Sequence, residues 1–446
     1  MFLNRTTNRL ITRYSNGIQL DVASVIPVLS CSSSCARVHT ATKVTASNNF
    51  NCFMNFNRNL MTKATAGDKI VEIQEAVRFA VDCMVKAGTS KKHAEQLADV
   101  LIMADIRGHY SHGLNRLAMY VRDVREGICR KDGSPKILKE RSATAWIDGN
   151  NLLGPVVGNF CMDLAIKKAK EAGVGWVVAK GSNHFGIAGW YSIRAMDEGL
   201  LLSHQGMAFT NTSPMMYPTR SSMPALGTNP ITLAAKGLKD NFILDMATTT
   251  AAIGKVELAA RKEQVIPDTW GVAADGHVSK DPKKILDGGG LLPLGGAEFS
   301  GGYKGYGLGA LVEIFCGILG GAQWGPNIRQ WMSVSVIADL GQCFIAIDPE
   351  AFAPNFRDRL QKFIDTMRSL KPGFYLKQQN VFVFSENAWL LEADDDSVLI
   401  AGDPENQHIA LVEKYGGIPY HPNQITHAEE LAETLSVQAM FVKSTV

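Results

Sequence analysis

Residues 107–116, which read RGHYSHGLNR, concentrate side chains that can move protons and bind anions. They contain two histidines, two arginines and one serine. A second histidine motif, GSNHFG, follows at residues 181–186. Histidine exchanges protons near neutral pH, and arginine binds carboxylates through paired hydrogen bonds. Together the two motifs predict acid/base chemistry on a small anionic substrate.

Both motifs fall on turns between predicted regular elements. Apolar residues at helical spacing predict helices over 70–88, 90–104 and 113–126. The first motif therefore occupies a helix-to-helix turn, where side chains can face a cleft. A buried strand over 174–180 leads into the second motif, and a helix over 186–198 follows it.

The rest of the chain continues to alternate strands with helices. Further strands are predicted over 143–149, 201–210, 230–235, 241–246 and 344–347. Further helices are predicted over 155–172, 250–262, 306–319, 356–369 and 427–437. This succession predicts an α/β to α+β fold without an internal repeat.

Composition excludes several classes of protein. The chain has 446 residues, 46% of them hydrophobic and 20% charged, which is typical of a globular protein with two or three domains. Its formal net charge of +2 shows no excess of basic residues of the kind that binds nucleic acid. The eight cysteines include no C-x-x-C pair, so we expect free thiols in a reducing compartment and no metal site.

The most apolar stretch, residues 305–322, predicts a buried helix rather than a membrane span. It contains Glu313 and six glycines, so it is not an uninterrupted apolar run of the kind that crosses a bilayer. Residues 305–310, GYGLGA, match a dinucleotide-binding glycine pattern. A Rossmann loop needs a preceding strand and an acid about twenty residues later. Glycine- and proline-rich sequence precedes this stretch, so we do not expect a Rossmann loop.

Residues 1–65 differ from the rest and predict an organelle transit peptide, mitochondrial in type. Their sole acid is Asp21, whereas basic residues recur, and Arg5, Arg9 and Arg13 share one face of a potential helix. An alternative is a tail without a targeting role. Translation from Met54 or Met61 would instead give a cytoplasmic product.

Seven motifs, in order, give a family resemblance over residues 68–420. The chain resembles the type-2 malate/L-lactate dehydrogenase family, which includes ureidoglycolate, sulfolactate and diketogulonate oxidoreductases. The matching segments are ADIRGHYSHGLNRL (104–117), GSNHFG (181–186), NTSP (211–214), LGTNPI (226–231), LDMATTT (244–250), GYKGYGL (302–308) and FIAIDP (344–349). Tyr110 departs from the family, because many members have an acid there. The leader and a longer stretch at 215–222 set the chain apart from bacterial relatives and are typical of a eukaryotic member.

The resemblance implies a non-Rossmann nicotinamide-binding domain with a mixed sheet, plus a helical outer domain. We expect a leader over 1–65, an outer helical domain over 66–135, a cofactor domain over 136–345 and a C-terminal segment over 346–446 that packs on the outer domain. The family also implies a homodimer with the active site near the subunit interface. The expected substrate is a 2-hydroxy acid, foremost L-malate, and no nucleic-acid or membrane partner is expected.

Oxidation of a 2-hydroxy acid requires one base for the hydroxyl proton. His184 and His112 are the candidates, because a histidine is matched to that task near neutral pH. Either can be the primary base, and we favour His184. We expect His109 to be structural.

Arginine is the expected substrate clamp. Arg116, one helical turn after His112, would bind the carboxylate in a way that lysine cannot. Arg107 could do the same or pair with Asp105 as structural support. Ser111 is a candidate hydrogen-bond partner of the substrate.

For the cofactor, NAD or alternatively NADP, the resemblance points to four segments. They are the run Asp245, Met246, Ala247, Thr248, Thr249, Thr250 and Ala251; Tyr303 with Lys304; Ser213; and the turn Gly402, Asp403 and Pro404. The threonine hydroxyls and the N–H groups of the following helix could hold pyrophosphate.

Three other functions remain open. The same fold could act on lactate, sulfolactate, ureidoglycolate or a cyclic imino acid. A non-catalytic binding protein would not need the intact histidines and arginines. A metallohydrolase would need an H-E-x-x-H type spacing, which the chain lacks.

Overall fold

The computed structural model describes residues 64, 66–197, 204–261, 263–372 and 397–446. The predicted leader, apart from Ala64, lies outside the described residues, so its targeting role stays a prediction. The described strands are β1 (Lys69–Val71), β2 (Lys136–Glu140), β3 (Thr144–Asp148), β4 (Val174–Ser182), β5 (Gln205–Thr210), β6 (Ile231–Lys236), β7 (Asn241–Met246), β8 (Gly271–Val272), β9 (Gly290–Leu291), β10 (Leu340–Ile347), β11 (Ile418–Tyr420) and β12 (Ser444–Thr445).

Helices surround these strands along the whole described chain. They are α1 (Ile73–Lys86), α2 (Lys91–Ile106), α3 (Leu117–Arg125), α4 (Gly154–Ala172), α5 (Gly189–Asp197), α6 (Ile253–Arg261), α7 (Pro282–Leu286), α8 (Gly302–Glu313), α9 (Phe356–Arg368), α10 (Asp403–Tyr415) and α11 (Pro422–Leu435). Of the described helices, none is long and apolar enough to cross a membrane.

A seven-stranded sheet forms the centre, in the order β2-β3-β4-β10-β5-β6-β7. Strands β3 and β4 run parallel, and the other neighbours run antiparallel. This mixed sheet with its helices confirms the predicted α/β to α+β class. The GYGLGA stretch lies inside α8. A Rossmann loop would instead lie between a strand and a helix, so the stretch does not form one.

Strand β4 buries alternate residues on the two faces of this sheet. Val177 and Ala179 of β4 join the core cluster that includes α4, whereas Val178 joins a cluster on the other face with Cys316. This alternation is the period of two that a strand imposes. Gly175 lets α4 approach closely, because a Cβ there would collide with a carbonyl of that helix. The described cysteines are free and buried in these cores.

The outer part packs α1 against α2 and joins the first described strand to the last two. Strand β1 lies between β11 and β12 in a small antiparallel sheet. The first described strand is therefore held by the last segments of the sequence. The domain boundaries proposed from the sequence stay a prediction.

Some predicted elements have other bounds. The helix predicted over 113–126 begins as two short 3₁₀ turns, Tyr110–His112 and Leu114–Arg116, and becomes α-helical only at Leu117. The cause is Asp105, whose carboxylate accepts the Leu114 N–H at 2.9 Å and leaves no room for a side chain at Gly113.

The stretch over 305–322 is largely helical, as predicted, but the prediction that this helix is buried is wrong. Helix α8 continues into a π-helical turn, Ile314–Ile318, and this stretch lines one face of β10 and exposes its other side. Ile318 is 56% exposed and Leu319 is 57% exposed. The apolar composition therefore reflects an uncovered surface as well as a core.

Candidate active site

A cavity of about 350 Å³ brings together residues that lie far apart in the sequence. Nine of the predicted site residues line it: Arg107, Ser111, His112, Arg116, His184, Asp245, Met246, Ala247 and Pro404. The size is at the lower end of the range for small-molecule sites. The two histidine motifs, distant in sequence, thus face one space.

Asp105 fixes the turn that carries the first motif. Its Oδ2 accepts hydrogen bonds from the Leu114 N–H and the Tyr420 hydroxyl, both at 2.9 Å. Burial raises the pKa of this carboxyl to about 7. Tyr110 adds a second tie to the C-terminal segment, because its hydroxyl donates to the Pro419 carbonyl at 2.8 Å.

The two candidate bases lie side by side. The rings of His112 and His184 are 5.7 Å apart between centroids, with 19° between their planes. Nδ1 of His184 lies 2.5 Å from the Tyr120 hydroxyl, and Nδ1 of His112 lies 2.9 Å from the Ser111 hydroxyl. Each ring is therefore oriented by an oxygen at one nitrogen.

Both histidines are held neutral. Burial, followed by the charges of Arg116 and Arg329, lowers the pKa of His184 to about 3. Burial, followed by the neighbouring His184 and Arg116, lowers the pKa of His112 well below its usual range. A neutral imidazole can accept a proton, as oxidation of a hydroxyl requires.

Arg116 is fixed from three sides. Its Nε donates to the Ser111 carbonyl at 2.7 Å, and Nη2 pairs with the Glu257 carboxylate at 2.9 Å. Its guanidinium carbon lies 5.3 Å from the ring centroid of Trp331. Sequence reasoning missed Glu257 and Trp331, and no local spacing connects either residue to the motif.

The alternative pairing of Arg107 with Asp105 is not among the contacts of the described residues. Oδ2 of Asp105 accepts hydrogen bonds from Leu114 and Tyr420 instead. Within the described chain, Nε and Nη2 of Arg107 make no hydrogen bond. Arg107 instead lies near Glu405. Burial alone would raise the pKa of Glu405, but His109 at 3.5 Å and the charge of Arg107 lower it to about 2.

His109 is held by that same carboxylate. Burial opposes its positive charge, but the nearby Glu405 raises the pKa of His109. Its partner is thus a side chain of α10 rather than a substrate, which agrees with a structural role.

The predicted cofactor run divides into two parts. Asp245, Met246 and Ala247 line the cavity, and Oδ2 of Asp245 accepts the Gly189 N–H at 2.8 Å. The hydroxyls that follow donate to carbonyls within the protein: Thr248 to Thr228, Thr249 to Ala251 and Thr250 to Thr269. Their hydrogens are therefore already committed, and Ala251 is buried behind them.

The other predicted cofactor residues lie outside the cavity lining. Tyr303 and Lys304 are exposed at the start of α8, with Nζ of the lysine 5.9 Å from the tyrosine ring centroid. Asp403 pairs with Arg368 at 2.6 Å. Gly402 caps α10 with φ +105°, and Ser213 is buried.

The cavity fits the reactive end of a nicotinamide cofactor. Besides His184, its lining includes the apolar side chains Ile187, Ala188, Met246 and Ala247 together with the carboxylate of Asp245. A flat apolar ring with one polar substituent suits such a lining. In the described part of the chain, no cluster of three or more acidic, histidine or cysteine side chains could hold a metal ion.

Comparison with known proteins agrees with these features. A family model described as malate/L-lactate dehydrogenase matches residues 71–427. The malate dehydrogenase of Pyrococcus horikoshii is 38% identical over 317 residues, which cover 70% of this chain and 85% of that protein. The L-sulfolactate dehydrogenase of Methanocaldococcus jannaschii is 39% identical over 306 residues, 68% of this chain and 86% of that one.

A solved structure shows the same fold. The malate dehydrogenase of Entamoeba histolytica superposes with a TM-score of 0.74 at 30% identity, and covers 84% of this chain and 100% of that one. Fold and cavity thus define a dehydrogenase of the non-Rossmann type. The chain belongs to the malate/L-lactate dehydrogenase family, as the sequence resemblance predicted, and is a 2-hydroxyacid dehydrogenase.

Proposed function

We propose that this enzyme transfers a hydride between L-malate and NAD, with His184 as the proton acceptor. The observation that carries the proposal is the single cavity that joins two neutral histidines, the fixed Arg116 and the Asp245–Ala247 run. Lactate, sulfolactate, ureidoglycolate and cyclic imino acids are the alternative substrates. NADP is the alternative cofactor, since relatives are named for both dinucleotides.

Each residue has a defined task in the oxidation. Arg116 binds the carboxylate next to the reacting carbon, and Ser111 contributes a hydroxyl beside it. Proton uptake at Nε2 of His184 requires the ring hydrogen to be on Nδ1, where the Tyr120 hydroxyl, 2.5 Å away, can accept it in place of the weaker 3.4 Å contact with the Gly186 N–H. This arrangement leaves the Nε2 lone pair to take the substrate's hydroxyl proton. The bound nicotinamide supplies the acceptor for the hydride.

The cofactor would be held by the residues that line the cavity and by those just outside it. Asp245, Met246, Ala247 and Pro404 would surround the nicotinamide end. A dinucleotide is too long for this cavity alone, so its phosphates and adenosine must lie beyond it. Exposed Lys304 is available there for a phosphate or ribose.

The exposed apolar residues that follow α8 support a homodimer. Ile314, Ile318, Leu319 and Trp324 are each about half exposed. Exposed apolar patches of this kind mark subunit contacts. Sedimentation velocity should give twice the chain's mass, and a monomer mass would contradict the proposal.

The substrate assignment can be tested directly. Purified protein is mixed with each 2-hydroxy acid and either NAD or NADP, and absorbance of the reduced nicotinamide is followed. L-Malate with NAD should give the highest kcat/KM, without added metal. No signal with any pair would remove the proposed function.

The mitochondrial location is a separate proposal that rests on the basic composition of residues 1–65. Those residues fused to a fluorescent reporter should direct it into mitochondria. A uniformly cytosolic signal would remove the proposal without affecting the enzymatic one.

A further inference from the structure

Two arginines bind residues 329–333, a segment that contributes Trp331 to the cavity lining, to helix α3. Nη2 of Arg329 pairs with Asp123 of α3 at 2.6 Å, and Nη1 donates to the Ser333 carbonyl at 3.0 Å. From α3, Nη2 of Arg122 donates a second hydrogen bond to the segment, to the Met332 carbonyl at 3.1 Å. The Arg329–Asp123 pair is shielded, with side chains 10% and 7% exposed. Residues 329–333 are thus held to α3 at both ends, with Trp331 between the fastenings.

The Trp331 side chain lies against the catalytic groups. Its ring centroid is 5.8 Å from that of His184 and 5.3 Å from the guanidinium carbon of Arg116. The His112 ring stacks on that of His184, with 5.7 Å between the ring centroids. Trp331 also lines the cavity. Four side chains therefore bound one corner of the cavity, and the indole among them has no task in the proposed reaction.

These contacts limit where a substrate can extend. The proposed reaction fixes a substrate at two points, its carboxylate at Arg116 and its hydroxyl at His184. The Trp331 ring centroid lies within 6 Å of both groups, at 5.3 Å from the Arg116 guanidinium carbon and 5.8 Å from the His184 ring centroid, so a third substituent directed toward this wall would meet the indole. A close-packed wall of this kind is not easily displaced. Here the shielded ion pair also resists its movement.

We propose that Trp331 determines substrate specificity by limiting the length of the side chain on the 2-hydroxy acid. This inference rests on the proposed function, because it needs Arg116 and His184 to fix the substrate. A rigid apolar wall discriminates by about 10- to 200-fold for each methylene group that does not fit. The enzyme should therefore prefer malate over its five- and six-carbon homologues.

The experiment compares four proteins on a graded series of substrates. Wild type, Trp331→Phe, Trp331→Ala and the control Met332→Ala are assayed with malate and with its homologues one and two methylenes longer. Met332 is the matched control, because it lies in the same segment, is 43% exposed and does not line the cavity.

The ratio of kcat/KM for a longer acid to that for malate is the decisive quantity. Trp331→Ala should raise this ratio at least about tenfold, Trp331→Phe should raise it less, and Met332→Ala should leave it unchanged. If Trp331→Ala does not fold, the phenylalanine variant alone must still raise the ratio.

Three results would overturn the inference. They are an unchanged ratio in the Trp331 variants, an equal loss on every substrate, and a wild-type enzyme that does not discriminate by length. The last needs no variant at all. Wild type that oxidises no 2-hydroxy acid would instead remove the proposed function, so the two failures are distinguishable.

Discussion

The two cavity histidines resemble each other in charge but differ in their partners. His184 is oriented by a phenol of α3, and His112 by the hydroxyl of its own neighbour in sequence. A tyrosine on a separate helix holds a ring more firmly than an adjacent serine, whose side chain turns with the same short 3₁₀ segment. This difference favours His184 as the group that moves the proton.

Replacement of either histidine should slow turnover. His184→Ala and His112→Ala should each lower kcat by about 100-fold or more, the scale of lost general acid/base catalysis. Steady-state oxidation of malate is the measurement. His277→Ala is the control, because that side chain is 86% exposed and distant from the cavity lining. Near-normal turnover in both variants would contradict the mechanism.

Sequence reasoning brought His112, His184 and Arg116 to one site because their motifs are short and chemically distinctive. It could not find what holds them. Glu257 is 141 residues from Arg116, and Tyr120 is 64 residues from His184. Such pairs form only when distant segments meet, so no local pattern announces them. Nor could the sequence show that the hydroxyls of Thr248–Thr250 donate to protein carbonyls, because the acceptors of Thr248 and Thr250 lie in distant segments, at Thr228 and Thr269; their assignment to the cofactor stays a prediction.

At the scale of elements, the clamp between α3 and residues 329–333 positions the cavity wall. Asp123→Asn would leave the shielded Arg329 without its counter-ion, which is costly in a buried place. The free energy of unfolding should fall by roughly 1–3 kcal/mol, as for other lost hydrogen bonds to charged groups. Hydrogen exchange in residues 329–333 should also become faster.

A surface ion pair offers the matched comparison for that change. Asp163 pairs with Arg194 at 2.6 Å but is 50% exposed. Asp163→Asn should therefore cost less than about 1 kcal/mol. Equal costs in the two variants, or unchanged exchange in residues 329–333, would mean that the clamp does not hold the wall.

Elements with a strong apolar period were predicted within a few residues. Helix α1 and strand β4 follow their burial patterns closely, because packing and periodicity agree there. Strand β2 was missed, since all five of its residues are exposed and none alternates. Helix α10 was missed because the glycine before it, at φ +105°, was interpreted only as a turn.

At the scale of the whole molecule, one buried carboxyl links the catalytic turn to the end of the chain. Asp105 binds both Leu114 and Tyr420, and the pKa of its carboxyl is raised by burial to about 7 from 3.8. The folded protein therefore keeps this proton in a range of pH where the unfolded chain has released it. Stability contributed by the group is fully present below about pH 4.

The free energy of unfolding should decline as pH rises from about 4 to 7. Between about pH 4 and 7 the free energy of unfolding of wild type should fall by about 4 kcal/mol relative to Asp105→Asn, which has no proton to release. Denaturant unfolding of both proteins across this range measures the difference. Parallel curves for the two proteins would contradict the assignment.

The class of the fold was predictable from the alternation of strands and helices, because each type of element requires its own hydrophobic period. The order of the seven strands was not. Strand β10 enters the sheet between β4 and β5, although more than a hundred residues separate it from either. Insertion of a late strand into the middle of a sheet leaves no trace in the local sequence.

The small sheet of β11, β1 and β12 can form only late in the synthesis of the chain. Strand β1 pairs with residues 418–420 on one side and 444–445 on the other. A ribosome must therefore release nearly the whole chain before this strand finds either neighbour. Until that moment strand β1 stays unpaired. If residues 1–65 direct import, as proposed above, a machinery that threads unfolded chains would have to act before this sheet assembles.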